Sequence, residues 1–309
     1  MNNVMVFLKQ IVLVASLGGS VLLAQDKSSV CFTFDDGNPK DILDYTIDRW
    51  NQMILDQLKE HKLQAILYVC GKNVDNKKGK HILESWDNAG HIIANHTYSH
   101  LNYNSNEINY ERYKDDILHC DSLIHGYTRY QKYFRAPFLK YGETRAKRDS
   151  LQAFLKRMQY KNGYVTIDAS DWFYNSRLLR FMEKNPGKSI DEYRKVYIDH
   201  LMERAKFYDR IASQLLGRKI KHSILLHHNL SAALFLGDLI KAFQQEGWET
   251  INAQDALSDE VYQKVPDIVP AGESLIWGLA KESGRYDDIL RYPGEDSSYE
   301  EEKLNSLGL

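Results

Sequence analysis

Asp35 and Asp36 stand side by side at the end of the apolar run VCFTF and are followed by Gly37. Neighbouring side chains on a strand point to opposite faces, so one of the pair would face away from any common ligand. At a frayed strand end, a glycine permits an unusual turn through which both carboxylates can reach one cavity. Taken alone, the pair fits a polar strand-to-loop turn equally well. His96 and His100 come directly after the strand-like HIIAN. Four apart, they share one face of a helical turn, and a third ligand from elsewhere would complete a facial metal site. In FRAPFLKYG, Arg135 precedes a proline-stiffened loop. A buried arginine wants a carboxylate, for which Asp35 and Asp36 are candidates; a surface arginine would only flank a turn. Asp168, Asp171 and Trp172 end the apolar run GYVTI, and His227 and His228 end the run SILL.

All five stretches share a plan in which an apolar strand runs out into titratable residues. Parallel α/β barrels build their sites at that end of the strands, so the five would converge on one cavity. The intervening sequence supports such a frame. Ile47, Trp50, Ile54, Leu55 and Leu58 recur at amphipathic-helix spacing. AILYVCG, HILESWDNAG, HIIAN, GYVTI, HSILLHH, SAALFLGDLIKAFQQEG and WETIN then read as alternating strands and helices, which argues for a parallel sheet with helical crossovers and barrel-like closure. Two segments break the rhythm. A helical insertion occupies about 175–220 and would form a wall or lid. A tail, 258–309, mixes Pro, Gly and charge and reads as an appendage packed on the barrel, its last ten residues mobile. No repeat of 20 to 50 residues is visible.

The chain has 309 residues, 43% of them hydrophobic, enough for one large α/β domain or two small ones. Its formal charge of −2 gives no electrostatic case for nucleic acid or an anionic membrane as partner. Residues 1–24 resemble a secretory signal peptide: Lys9, the uncharged apolar run IVLVASLGGSVLLA, then the polar QDKSS. An uncleaved membrane anchor is the alternative reading of that run. Either way the body of the protein is expected outside the cytosol, periplasmic or extracellular. Cys31, Cys70 and Cys120 are too few for a disulfide framework and read as buried free thiols, although Cys31 and Cys70 both lie in strand-like runs and could be sheet neighbours.

In order, TFDDG, HTYSH, RAPFLKYG, DASDW and LLH resemble the motifs of the polysaccharide deacetylase family, carbohydrate esterase family 4, over roughly residues 28–255. The resemblance implies an α/β fold, a distorted (β/α) barrel, with the catalytic domain at 25–257. It further implies that Asp35 is the general base and that Asp36, His96 and His100 hold a divalent ion, usually zinc, sometimes cobalt or nickel, a choice that imidazoles plus one carboxylate also favour. By the same likeness Arg135 pairs with the base, the backbone N–H of Phe138 receives the oxyanion, His227 is the acid and Asp168 tunes it. Trp172 would form the groove wall and Leu225 the acetyl-methyl pocket. His227 is preferred over His228 because of its Leu-x-His spacing. The chain departs from the family at Asn38-Pro39 and at Ala136, which changes loop shape and weakens the Phe138 assignment. Glu273, Trp277, Arg291 and Tyr292 lie in the appendage and read as packing residues.

The implied activity is metal-dependent removal of acetyl groups from a glycan, with N-acetylglucosamine polymers as the leading substrate. An O-acetyl esterase acting on a plant polysaccharide such as xylan is the alternative. A non-catalytic glycan-binding protein would be expected to have lost the base or the acid, yet Asp35 and His227 are both present. A metal-free cyclic-amide hydrolase of similar fold would lack HTYSH.

Overall fold

A computed structural model describes residues 27–291 and 297–309. The leader assigned to 1–24, and Tyr292, lie outside the described residues. In chain order the elements are β1 (Ser29–Asp36), α1 (Ile47–Glu60), β2 (Ile66–Val69), α2 (Gly71–Val74), α3 (Lys77–Asn88), β3 (Ile92–Asn95), α4 (Tyr110–Ile124) and β4 (Tyr130–Phe134). A 3-10 turn at Pro137–Leu139 leads into β5 (Lys140–Gly142), α5 (Arg145–Arg157) and β6 (Lys161–Asn162). Then follow α6 (Asp171–Lys184), α7 (Asp191–Leu216), β7 (Lys221–His227), α8 (Leu230–Gln245), β8 (Glu249–Thr250) and α9 (Ala253–Ala256). The tail adds β9 (Ala271–Gly272), α10 (Leu275–Ser283) and α11 (Ser297–Ser306).

The main sheet is parallel, in the order β6-β4-β3-β2-β1-β7, with β8 on the start of β1. β1 lies inside the sheet, flanked by β2 and β7, and is buried along nearly its whole length, which is why it reads as a largely apolar run. The α1 residues expected on one face, Ile47, Trp50, Ile54, Leu55 and Leu58, are all buried. Side-chain caps from Thr46, Asn76, Asn109, Thr144 and Asn229 start α1, α3, α4, α5 and α8 by accepting a backbone N–H of the first turn.

Barrel-like closure, expected from the alternation, is achieved by one irregular segment. After pairing with β4 through Lys161 and Asn162, residues 163–167 cross to β7, where Ile167 bridges Ile224. Leu225 N–H donates to the Ile167 carbonyl at 3.0 Å and Thr166 N–H to the Ser223 carbonyl at 3.1 Å. The sheet therefore curls into a distorted barrel instead of remaining open.

Two expectations fail here. Cys31 and Cys70 are not sheet neighbours: Val69, beside Cys70, pairs with Asp36 at the far end of β1, and all three cysteines are buried and free. The end of the tail is not loose among the described residues. It forms α11, buries Leu304, and is tied to α6 by Arg177, which donates to Asn305 Oδ1 at 2.7 Å and to the Leu309 carbonyl. The region of the expected insertion, about 175–220, is occupied by most of α6 and by α7.

Candidate active site

Sheet register sets the site. Asp35 pairs with Tyr68 on one side and His227 on the other, while Asp36 pairs with Val69, Val69 with Asn95, and Asn95 with Phe134. The last residues of β1, β3, β4 and β7 thus lie at one level, and His96 and Arg135 each follow the strand end directly. Local sequence had placed five chemical groups at strand ends; long-range pairing makes those ends adjacent.

The adjacent carboxylates separate at this edge. Asp35 keeps its strand orientation, is buried, and accepts from Arg135 Nη1 through Oδ1 at 2.5 Å. Arg135 is fully buried; its Nη2 donates to Thr33 Oγ1 at 3.0 Å, its Nε to the Gly163 carbonyl at 2.8 Å, and its guanidinium lies 3.9 Å from the centre of the Tyr68 ring. Several independent contacts therefore fix the group that orients Asp35. Asp36 instead adopts φ 84°, and Gly37 φ 70°, so the chain turns and brings the second carboxylate back over the same strand ends. The Asp36 carbonyl is held by Cys70 N–H and Asn73 Nδ2, both at 3.2 Å.

His96 and His100 do not sit on a helical turn as expected. Their segment is a loop in which Thr97 and His100 have φ of 62° and 56°. Asn95 Oδ1 accepts from Thr97 N–H and Thr97 Oγ1 from His100 N–H, so local side-chain bonds replace helical ones. Both Nε2 atoms still face Asp36 Oδ1, at 3.8 Å for His96 and 3.3 Å for His100. The Arg135 carbonyl binds His96 Nδ1 at 2.9 Å, which leaves Nε2 to face the carboxylate. Burial pushes the His96 imidazole down to about 4, so it is neutral at pH 7, the form that ligates. Burial opposes ionisation of Asp36, but the neighbouring His100, His227 and His96 outweigh it and hold the carboxyl well below the usual carboxylate range.

These residues fit a divalent ion. One ligand atom each from Asp36, His96 and His100 lie within 4.8 Å of one another. Asp36 Oδ1 is buried yet makes no hydrogen bond, the state expected of an oxygen whose partner is a cation.

His227 lies across the cavity, and its carboxylate partner is Asp171. His227 Nδ1 donates to Asp171 Oδ1 at 2.6 Å, and Asp171 Oδ2 accepts from His227 N–H at 2.9 Å and from Asn229 Nδ2 at 3.1 Å. Burial alone would lower the His227 pKa, but Asp171, then Asp36 and Asp35, raise it to about 10. The assignment of Asp168 to this role is thereby corrected. Ser170, at φ 49°, turns the chain so that Asp171 opens α6 and points at β7, whereas Asp168 lines the cavity. His228 has a structural environment: buried between Trp50 and Trp86, it bonds Asn51 Oδ1 at 2.9 Å, and burial pushes its pKa down to about 3.

The cavity encloses about 440 Å³ and is lined by Asp35, His96, His100, Phe138, Asp168, Trp172, Leu225 and His227 from the sequence-identified stretches. Phe138 is half exposed at φ 56°, its ring 4.6 Å from that of His100. Leu139 and Lys140 also line it and were not anticipated, and Glu273, expected to be a packing residue of the appendage, lines it too. Leu139, Val165 and Leu225 form a small apolar cluster apart from the main core. Asp171 was visible only as one of two aspartates before Trp172, with nothing to choose between them; Glu273 carried no signal, lying some 45 residues beyond the last motif. Non-glycine residues at positive φ are concentrated here, at Asp36, Thr97, His100, Phe138, Leu139, Ser170 and Glu273. Each costs on the order of 1 kcal/mol, a concentration of strain typical of functional sites.

Comparison with known proteins agrees with this geometry. Residues 23–154 match the family model for polysaccharide deacetylase. The peptidoglycan-N-acetylglucosamine deacetylase of Bacillus cereus is 31% identical over 148 residues, 48% of this chain and 47% of that protein, so the chain spans about half the length of this curated relative. Among solved structures, a family 4 carbohydrate esterase pseudoenzyme from Bacillus anthracis aligns with a TM-score of 0.53 at 18% identity, over 75% of this chain and 66% of that one. Peptidoglycan deacetylase PdaC from Bacillus subtilis aligns at 0.50 and 20% identity, over 75% and 90%. At those identities the structures speak for the fold. Asp35, Asp36, His96, His100 and Arg135 fall inside the matched segment, while Asp171 and His227 lie beyond it and join the same cavity through β7 and α6. Residues 23–154 are thus similar to the polysaccharide deacetylase family, and the fold of the chain is that of family 4 carbohydrate esterases.

Proposed function

We propose that the protein is an exported, metal-dependent hydrolase that removes the acetyl group from N-acetylglucosamine units of a glycan. One observation carries the reading: Asp35, held by Arg135, and His227, held by Asp171, line one cavity beside the Asp36, His96 and His100 cluster. That is an acid and a base flanking a cation site. A divalent ion on the cluster, zinc by its donor set with cobalt or nickel as alternatives, would supply Lewis-acid polarisation of the acetyl carbonyl and acidify water.

The chain's own residues then divide the proton work. Arg135 occupies Asp35 Oδ1, and Oδ2 lies on the His96 side at 3.6 Å from Nε2, placed to take a proton from the attacking water. His227, protonated at neutral pH with Nδ1 bound to Asp171, gives its Nε2 proton to the departing amine nitrogen as the carbon–nitrogen bond breaks. The Phe138 loop supplies a backbone N–H to the developing oxyanion, and the Leu139, Val165 and Leu225 cluster takes the acetyl methyl. Trp172, 45% exposed at the cavity edge, offers a face for a sugar ring.

Acetate release from a panel of N-acetylated and O-acetylated glycans, with defined zinc, cobalt and nickel, tests this reading. Release from N-acetylglucosamine oligomers with appearance of free amine is expected. Release only from O-acetylated xylan would move the substrate class to esters, and none from either would overturn the activity.

A further inference from the structure

The tail outside the matched segment contributes to the cavity. β9 pairs antiparallel with β5, Lys140 opposite Gly272, and Glu273 N–H donates to the Leu139 carbonyl at 3.1 Å. The backbones approach so closely that a Cβ on Gly272 would lie 2.5 Å from the Leu139 oxygen. Glu273 then adopts φ 63°, which directs its side chain to the cavity rather than along β9. There its carboxylate forms an ion pair with Lys140 Nζ; both side chains are mostly covered, 12% and 23% exposed. Neither belongs to the acid, base or ligand set, and both line the same cavity as Asp35 and His227.

We infer that the Lys140 and Glu273 pair is a sugar subsite beside the scissile acetamide, reading the hydroxyls of a second saccharide unit. The inference rests on the deacetylase reading above and deepens it by assigning a part of substrate recognition to the tail. A carboxylate accepts hydrogen bonds from two neighbouring hydroxyls, and an ammonium group donates to a ring or hydroxyl oxygen, so the pair offers both halves of diol recognition. The ion pair holds each partner in place before substrate arrives, which reduces the ordering cost of binding. A pair serving only to fasten β9 to β5 would not need to face the cavity, because backbone hydrogen bonds already join those strands.

The test compares N-acetylglucosamine oligomers of one and four units with 4-nitrophenyl acetate, using the full metal-loaded chain. Wild type, Glu273→Gln, Lys140→Met and the double variant are measured, with melting temperature as the check on folding. The expected result is that each single variant lowers kcat/KM for the tetramer about tenfold, through KM, while the monomer and the aryl acetate are unchanged. Calorimetric titration of chelator-treated full-length chain with the tetramer should show the same loss of affinity without turnover. Tetramer KM and affinity at wild-type levels in all variants would overturn the subsite. So would equal losses on tetramer and aryl acetate, which would make the pair a clamp on the Phe138 loop. Absence of acetate release by wild type from any oligomer, with wild-type and variant affinities for the tetramer differing as expected, would overturn the deacetylase reading and leave the subsite standing.

Discussion

Asp171 is the residue whose role changes most once side chains are placed. Its carboxylate is the first influence that raises the His227 pKa to about 10, against burial that would lower it. An acid held protonated in this way is competent below its pKa and fails as pH rises through it. Asp171→Asn should therefore move the alkaline limb of kcat/KM to lower pH and leave the acidic limb in place; a pH profile in which neither limb moves would contradict the pairing. Asp168→Asn should leave the alkaline limb where it is. Arg135→Met leaves Asp35 buried without its partner and should cost about 3–5 kcal/mol of stability, read by denaturant unfolding. Asp35, Asp36, Arg135, the two loop histidines and His227 were legible because each ends an apolar run. The choice between Asp168 and Asp171 was not, because it depends on a left-handed turn at Ser170 that no pattern of residue types announces.

Strands and helices were legible wherever periodicity was long, as in α1 and α8, or apolar content continuous, as in β1 and β7. The histidine loop was misread as a helical turn because spacing alone does not distinguish a helix from a loop stitched by Asn95 and Thr97 side chains. The element that closes the barrel, 161–167, was legible only as an apolar run, since its partner changes from β4 to β7 midway. Its Gly163 is required by a neighbour: a Cβ there would lie 2.5 Å from Tyr68 Oη, and Tyr68 supports Arg135. Gly163→Ala should destabilise the chain by about 1–3 kcal/mol and lower kcat more than KM by disturbing Arg135. Thermal unfolding and steady-state kinetics read both effects. The tail was the least legible part. β9 is two residues long, and its contribution to the cavity arises from pairing with a strand more than 120 residues earlier.

The molecule as a whole keeps several imidazoles buried and neutral. Burial pushes His91, His200 and His228 down to about 4, 3 and 3. Between the unfolded value near 6.5 and those folded values the unfolded chain binds more protons, so stability falls as pH drops below about 6.5, by up to about 1.4 kcal/mol per pH unit for each histidine. Melting temperatures should decline steadily from pH 7 to 4.5; a flat profile would contradict the assigned burial. That a pseudoenzyme shares this fold shows why fold alone does not establish catalysis, and why the proposed function rests on the pairing of Asp35 with Arg135 and of His227 with Asp171 at the cavity. Among the described residues no helix is long and apolar enough to cross a membrane. The central claim is that Asp35 takes the proton in acetyl hydrolysis at this cavity. Acetate release from N-acetylglucosamine oligomers by the metal-loaded protein, measured beside Asp35→Asn with unfolding monitored in parallel, tests it most directly. Release by the wild type is expected, with a folded Asp35→Asn variant slower by about 10²–10⁴-fold; a folded variant that releases acetate at the wild-type rate would rule out Asp35 as the base.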